Sequence, residues 1–110
     1  MQKNRIAQLE QMYNENPEDI FVRYALALEY ASSGKKNIAI DNLKAILDID
    51  KKYLAAYYQL GKIYESIGKI RDAGEVYAQG VQIALEKGDK RTMSELKAAF
   101  EGVSGIEDAF

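Results

Sequence analysis

A 34-residue internal repeat is the feature of this sequence that most narrows the folds open to it. Ungapped alignment of residues 20–53 with the residues from position 54 onward superimposes Leu26 on Leu60 and Ala39 on Ala73. A segment that recurs at a fixed period of this length is one supersecondary unit, and it buries its apolar face only by stacking on its neighbours. The chain is therefore predicted to stack at least two such units.

Each unit has the pattern of two amphipathic helices joined by a short turn. Apolar residues recur at spacings of three and four on both sides of Gly34 and Gly68, as they do along one face of an α-helix. Glycine adopts the left-handed conformation that ends many helices without a side-chain clash, so both glycines are predicted to lie in interhelical turns. Asn16 is predicted to cap a helix that begins at Pro17, and Asp50 occupies the equivalent position in the next unit.

The second unit carries the residues that connect the repeat to a known family. Its pattern Tyr57-Leu60-Gly61-Tyr64-Ala73-Tyr77 resembles the consensus of the tetratricopeptide repeat. Arg23 stands where that family usually has an aromatic residue, and Lys51 and Leu85 stand where each repeat usually ends in proline. The resemblance implies an all-α fold, a short right-handed superhelical stack of antiparallel helix pairs with about six helices. It also implies that Tyr30, Tyr64 and Tyr77 pack within the stack.

The boundaries of the repeats divide a predicted single domain over residues 1–110. Residues 1–16 fit only the second half of a repeat, residues 17–50 and 51–86 are the two full repeats, and residues 104–110 form a tail. Residues 87–103 are predicted to form a C-terminal capping helix, for which Asp89 is the N-cap and Met93, Leu96 and Phe100 supply the apolar spacing.

The composition leaves few residues that could perform chemistry. The chain has no Cys and no His, which excludes disulfides, thiol and imidazole catalysis and nearly every zinc site. The carboxylate pairs Asp48/Asp50 and Glu107/Asp108 are interpreted as solvated surface charge, and Gly68-Lys69 lacks the spacing of a phosphate-binding loop. We expect a non-enzymatic chain without metal or cofactor.

The charge and hydropathy of the chain also restrict its partners and location. Fifteen Lys and Arg against seventeen Asp and Glu give a formal charge of −2, which offers no basic field for nucleic acid or anionic lipid. No window approaches the length of apolar sequence that a membrane span needs, and no apolar leader is visible. We therefore expect neither nucleic acid nor membrane as a partner, and a soluble protein in the cytoplasm.

The family resemblance implies a protein–protein interaction module, an adaptor or scaffold that binds a peptide or helix of a partner in its concave groove. Seven residues match inward-facing positions of the first helix of each repeat and are the candidate partner-binding residues: Phe21, Tyr24, Leu28, Tyr58, Gln59, Lys62 and Glu65. The alternative for each is packing against a neighbouring helix of the same chain.

Two further expectations concern the partner. The branch of the family that grips C-terminal carboxylates has Lys and Asn where this chain has Tyr24 and Leu28, so an apolar or aromatic segment is expected instead of an acidic chaperone tail. The rival hypothesis is a structural protein that self-associates, forming a homodimer through its groove or an end face.

Overall fold

A computed structural model describes the backbone of residues 2–108 and the side chains of residues 5–105. This part of the chain contains six helices and no strand: α1 (Gln2–Glu15), α2 (Ile20–Ser32), α3 (Lys36–Ile49), α4 (Leu54–Ser66), α5 (Ile70–Lys87) and α6 (Lys90–Asp108). The predicted all-α fold with about six helices is confirmed. Over the same residues, no helix is both long enough and apolar enough to cross a membrane.

The chain divides into two compact units. The first unit, Met1–Ile49, contains α1, α2 and α3, and α2 packs against both of the others. Its buried side chains come mainly from the apolar faces of α2 and α3: Val22, Leu26, Ala27, Ala39 and Leu43. None of the described side chains of α1 is fully buried, so this helix lies against the unit and adds little to its interior.

The second unit, Asp50–Phe110, contains α4, α5 and α6. Helix α5 packs against both α4 and α6. Apolar residues at helical spacing on α4 and α5 form its interior, and one face of α6 covers them. The large buried side chains include Tyr57, Leu60, Tyr64, Tyr77, Leu96 and Val103. The chain forms two compact units, and the single domain over residues 1–110 stays a prediction.

The interhelical turns follow the sequence closely. Gly34 and Gly68 have φ angles of 84° and 80°, in the left-handed region that only glycine adopts without strain. In each turn the following residue closes the helix, since Lys35 N donates to Tyr30 O at 2.8 Å and Lys69 N donates to Tyr64 O at 2.9 Å. The predicted role of both glycines is therefore confirmed.

The predicted helix start at Asn16 and Pro17 is wrong by three residues. Residues 16–18 form a turn in which Asp19 N donates to Asn16 O at 3.1 Å, and the N-cap is Asp19, whose carboxylate accepts from Val22 N at 3.3 Å. A proline restrains the residue before it to extended backbone, and an Asn-Pro pair suits a turn as well as a helix start. Asp50 likewise accepts from Lys52 N at 2.9 Å within its turn, and the helix begins after Tyr53.

The C-terminal helix agrees with the sequence at its start and differs at its end. Asp89 accepts hydrogen bonds from Thr92 N at 3.0 Å and from the Thr92 hydroxyl at 2.8 Å, so it is the N-cap of α6, as predicted. The helix continues through residues 104–108, which were predicted to be a tail, because no proline interrupts it and Gly105 weakens a helix without ending it. Residue 1 of the predicted half repeat and residues 109–110 of the tail lie outside the described residues.

Candidate functional site

Three of the candidate residues lie on one edge of α2, and we call them the α2 patch: Phe21, Tyr24 and Leu28. Their spacing of three and four residues places them on a common face of the helix. Phe21 is 73% exposed, more than any other large apolar side chain that is described, whereas Tyr24 and Leu28 are half-buried. The patch therefore presents one exposed ring beside two partly covered apolar groups.

The other four candidates lie on α4, and we call them the α4 patch: Tyr58, Gln59, Lys62 and Glu65. Lys62 Nζ lies 5.5 Å from the centroid of the Tyr58 ring, within the range of a cation–π contact. The same ammonium lies 3.9 Å from a carboxylate oxygen of Glu65, one helical turn further along. An aromatic ring, a cation and a carboxylate are thus held side by side on one helix.

Helix α5 supports this patch through Tyr77. The Tyr58 and Tyr77 rings are 6.3 Å apart with an interplanar angle of 45°, and the Tyr77 hydroxyl donates to Glu65 Oε2. Burial raises the pKa of Tyr77 well above its usual value, and the hydrogen bond to Glu65 and its negative charge raise it further. Tyr77 therefore stays a neutral donor, which orients the Glu65 carboxylate beside Lys62.

The packing alternative applies unequally to the candidates. Tyr58 contacts a neighbouring helix of its own chain through Tyr77, and it remains half-buried. Phe21 is largely exposed, and packing within the chain does not account for its ring. Among the tyrosines predicted to be structural, Tyr64 and Tyr77 are buried. Tyr30 is half-buried, and its hydroxyl donates a hydrogen bond to Glu10.

The departure at Arg23 has a structural compensation that sequence reasoning missed. Arg23 lies with its guanidinium carbon 4.8 Å from the centroid of the Tyr13 ring, and one of its nitrogens donates to the Tyr13 hydroxyl at 2.7 Å. A guanidinium plane stacks on aromatic rings, so it takes over packing that an aromatic side chain would otherwise provide. The cue lay in Tyr13, an aromatic residue near the end of the preceding helix.

Comparison with known proteins agrees with this architecture of helix pairs and left-handed glycine turns. The sequence model of the tetratricopeptide repeat family matches residues 1–77. The chain belongs to the tetratricopeptide repeat family. The matched segment spans α1 to α4 and the first part of α5, and it includes both patches.

Individual proteins are similar to this chain over most of its length. A repeat-containing protein of Pseudomonas aeruginosa is 29% identical over 88 residues, which cover 80% of this chain and 84% of that protein. The solution structure of a tetratricopeptide repeat domain protein from Salinibacter ruber is 37% identical with a TM-score of 0.78, covering 83% of this chain and 92% of that one. A Bordetella parapertussis protein is 28% identical with a TM-score of 0.81, covering 94% and 90%.

Proposed function

We propose that this chain binds a peptide or helix of a partner protein through the α2 patch and the α4 patch, and that it acts as an adaptor or scaffold. The tetratricopeptide repeat fold generally mediates protein–protein interaction, and the chain has that fold. The exposure of Phe21 is the observation that carries the proposal. Its ring is 73% exposed, so a partner that covers it removes a large apolar surface from water, which favours binding.

The chemistry of the α4 patch suggests the kind of segment that is bound. Tyr58 offers a ring face, and aromatic side chains are enriched among the residues that dominate binding energies. The Lys62 ammonium and the Glu65 carboxylate already neutralise each other at 3.9 Å, so the patch has no net charge to offer. We infer an apolar or aromatic partner segment, with polar contacts from Gln59, Lys62 and Glu65.

The experiment compares capture of partners by variants of the two patches. Phe21→Ser and Lys62→Glu are introduced together into the intact chain, which is immobilised and exposed to lysate of its own cells. Because few interface residues supply most of the binding energy, we expect captured partners to fall by about tenfold or more. The melting temperature is expected to stay close to that of the wild type, since both side chains are exposed.

The matched control makes the same chemical changes at exposed positions outside both patches. Met12→Ser removes an apolar side chain from α1 that is 48% exposed, and Lys97→Glu reverses a charge on α6. This double variant is expected to capture partners as the wild type does. Equal loss in both double variants, or no loss in either, would show that the patches are not the binding surface.

Two further parts of the proposal concern activity and location. We infer that the chain works by binding alone, in keeping with a family of interaction modules and a sequence without Cys or His. Its cytoplasmic location stays a prediction from the sequence.

A further inference from the structure

A second concave feature lies within the first unit, between α1 and α3. Both helices pack against α2 and, among the described residues, not against each other, so a cleft of about 420 Å³ opens between them with α2 as its floor. Each helix contributes residues at helical spacing: α1 gives Glu10, Tyr13 and Asn14, α2 gives Leu26 and Tyr30, and α3 gives Ile38 and Asn42. We call this the α1–α3 cleft.

The cleft is on the other side of α2 from the α2 patch. A helix advances about 100° per residue, so Leu26 and Tyr30 point roughly 170° away from the mean direction of Phe21, Tyr24 and Leu28. A ligand of the cleft therefore does not compete for the residues of the α2 patch, and the two surfaces can be tested independently.

Among the described residues, Glu10 is the one charged residue that lines the cleft. Its Oε2 accepts a hydrogen bond of 2.5 Å from the Tyr30 hydroxyl, and it has no ion-pair partner among the described residues. An ionised carboxylate accepts several hydrogen bonds, so the phenol leaves much of its capacity unused. The neighbouring glutamate Glu29, by contrast, is paired with Arg5 at 2.6 Å.

The rest of the lining is apolar with one further acceptor. Leu26 is buried in the floor, Ile38 on the wall is 45% exposed, and the tyrosine rings complete an apolar surface beneath Glu10. The Asn42 amide nitrogen donates to Ile38 O at 3.0 Å, which leaves its carbonyl oxygen as an acceptor. The nearby cation Arg23 does not line the cleft and is engaged by Tyr13 and the carbonyl of Pro17.

We propose that the α1–α3 cleft binds the side chain of a lysine or arginine on a partner protein. Such a side chain has an aliphatic stem that covers apolar surface and a cationic head that stays with polar groups. In the cleft the stem packs against Leu26 and Ile38, and the head pairs with Glu10 beside Tyr30. Charge complementarity decides the occupant, because the described residues that line the cleft include a carboxylate and no cation.

The test uses two short peptides that differ only in the cation. Acetyl-Ala-Ala-Lys-Ala-Ala-amide and its norleucine counterpart are titrated into the intact ¹⁵N-labelled chain and followed by two-dimensional NMR. For the lysine peptide we expect saturable shifts confined to the backbone of residues 10–14 and 38–42. Binding of the norleucine peptide is expected to be at least about fivefold weaker, because it lacks the ammonium group and so cannot form a charge-assisted hydrogen bond to the Glu10 carboxylate.

Variants of α1 and α2 separate the cleft from general attraction to acidic surface. Glu10→Gln is expected to weaken lysine-peptide binding about fivefold, whereas Glu15→Gln removes the same charge from the same helix outside the cleft and leaves binding unchanged. Tyr30→Phe releases the Glu10 carboxylate and is expected to preserve or strengthen binding, even if it lowers the melting temperature. Phe21→Ser leaves this titration unchanged whether or not the α2 patch binds partners.

Three results would overturn the proposal. The norleucine peptide could bind as tightly as the lysine peptide, which would make the cleft a purely apolar site. Glu15→Gln could weaken binding as much as Glu10→Gln does, which would make the attraction non-specific. The lysine peptide could also give no saturable shifts in the cleft up to about 20 mM, a range in which even weak binding is detected.

Discussion

Two residues in each repeat are matched in size at the point where its helices pack. In the second repeat Gly61 lies against the ring of Tyr77, since a Cβ built on Gly61 would come within 2.2 Å of that ring. The first repeat has Ala27 and Leu43 at the equivalent positions, and both are buried. A larger residue on one helix is thus accompanied by a smaller one on the other, as close packing requires.

This pairing predicts opposite effects for two Gly→Ala substitutions. Gly61→Ala is expected to destabilise the folded state by about 1–3 kcal/mol. The ring of Tyr77 is buried and its hydroxyl is hydrogen-bonded to Glu65, so the ring cannot move aside. Gly74→Ala is the control, since its Cβ would lie 3.6 Å from Val103, an ordinary contact. It is expected to stabilise by about 0.5–1 kcal/mol through helix propensity. Urea unfolding measures both, and equal effects of the two substitutions would contradict the size matching.

The raised pKa values of two tyrosines, Tyr30 and Tyr77, predict that the stability of the fold decreases at alkaline pH. Burial and the neighbouring Glu10 raise the pKa of Tyr30 to about 12, and burial and Glu65 raise that of Tyr77. The folded state therefore holds these protons more tightly than the unfolded chain, where the pKa is about 10. Their contribution is fully present below pH 10 and is lost as the pH rises through the folded values.

The measurement is the urea midpoint between pH 8 and pH 12 for the wild type and for Tyr77→Phe. Tyr77→Phe removes the ionisable hydroxyl, so its midpoint is expected to start lower and to fall less steeply above about pH 10. Parallel curves for the two proteins would show that ionisation of Tyr77 is not linked to unfolding.

Among the elements, α1 is held differently from the others. No described side chain of α1 is fully buried, and three polar contacts join this helix to α2: Arg5 with Glu29, Glu10 with Tyr30 and Tyr13 with Arg23. Helix α5, which packs on two neighbours, has five buried residues. Polar contacts at or near the surface contribute little to stability, so α1 is the element with the least to hold it.

Hydrogen exchange tests this difference directly. Amides of residues 7–15 are expected to exchange at least about tenfold faster than those in the middle of α5, because local opening of α1 exposes little apolar surface. Raising the salt concentration is expected to lower the protection of α1 further by screening the Arg5–Glu29 pair. Protection in α1 equal to that in α5 would mean that polar contacts hold this helix as well as a core does.

The sequence predicted the elements well where local chemistry decides the structure. A glycine after an apolar stripe ends a helix whatever its surroundings, so Gly34 and Gly68 could be placed. Asn16 and Asp19 are both good caps, and local chemistry alone could not choose between them. Pairs such as Tyr13 with Arg23 and Glu10 with Tyr30 join residues ten and twenty positions apart, and only the packing of α1 on α2 brings them together.

For the candidate site, the spacing on each helix was predictable and the supporting contacts were not. The stripe of Phe21, Tyr24 and Leu28 follows from helical periodicity, and so does the proximity of Tyr58 to Lys62. The hydrogen bond from Tyr77 to Glu65 depends on how α4 and α5 pack, which the repeat pattern leaves open.

At the scale of the whole molecule, a nearly balanced charge favours recognition by short-range contacts. Fifteen cations against seventeen anions generate no strong field, so the chain has little means of attracting a partner from a distance. Partner choice then depends on shape, apolar contact and local charge pairs at the patches. Self-association through a groove or an end face stays a prediction, and a second copy of the chain is one partner that these contacts could select.

Site-specific photocrosslinking in living cells tests the central claim most directly. Benzoyl-phenylalanine replaces Phe21 or Lys62 in the two patches, and in separate variants Met12 or Lys97 outside them. We expect irradiation to give discrete adducts with another protein from positions 21 and 62, and none of those adducts from positions 12 and 97. Adducts of equal yield from all four positions would contradict a partner surface on α2 and α4. If the chain formed adducts only with itself, the result would contradict the adaptor function and favour a self-associating protein.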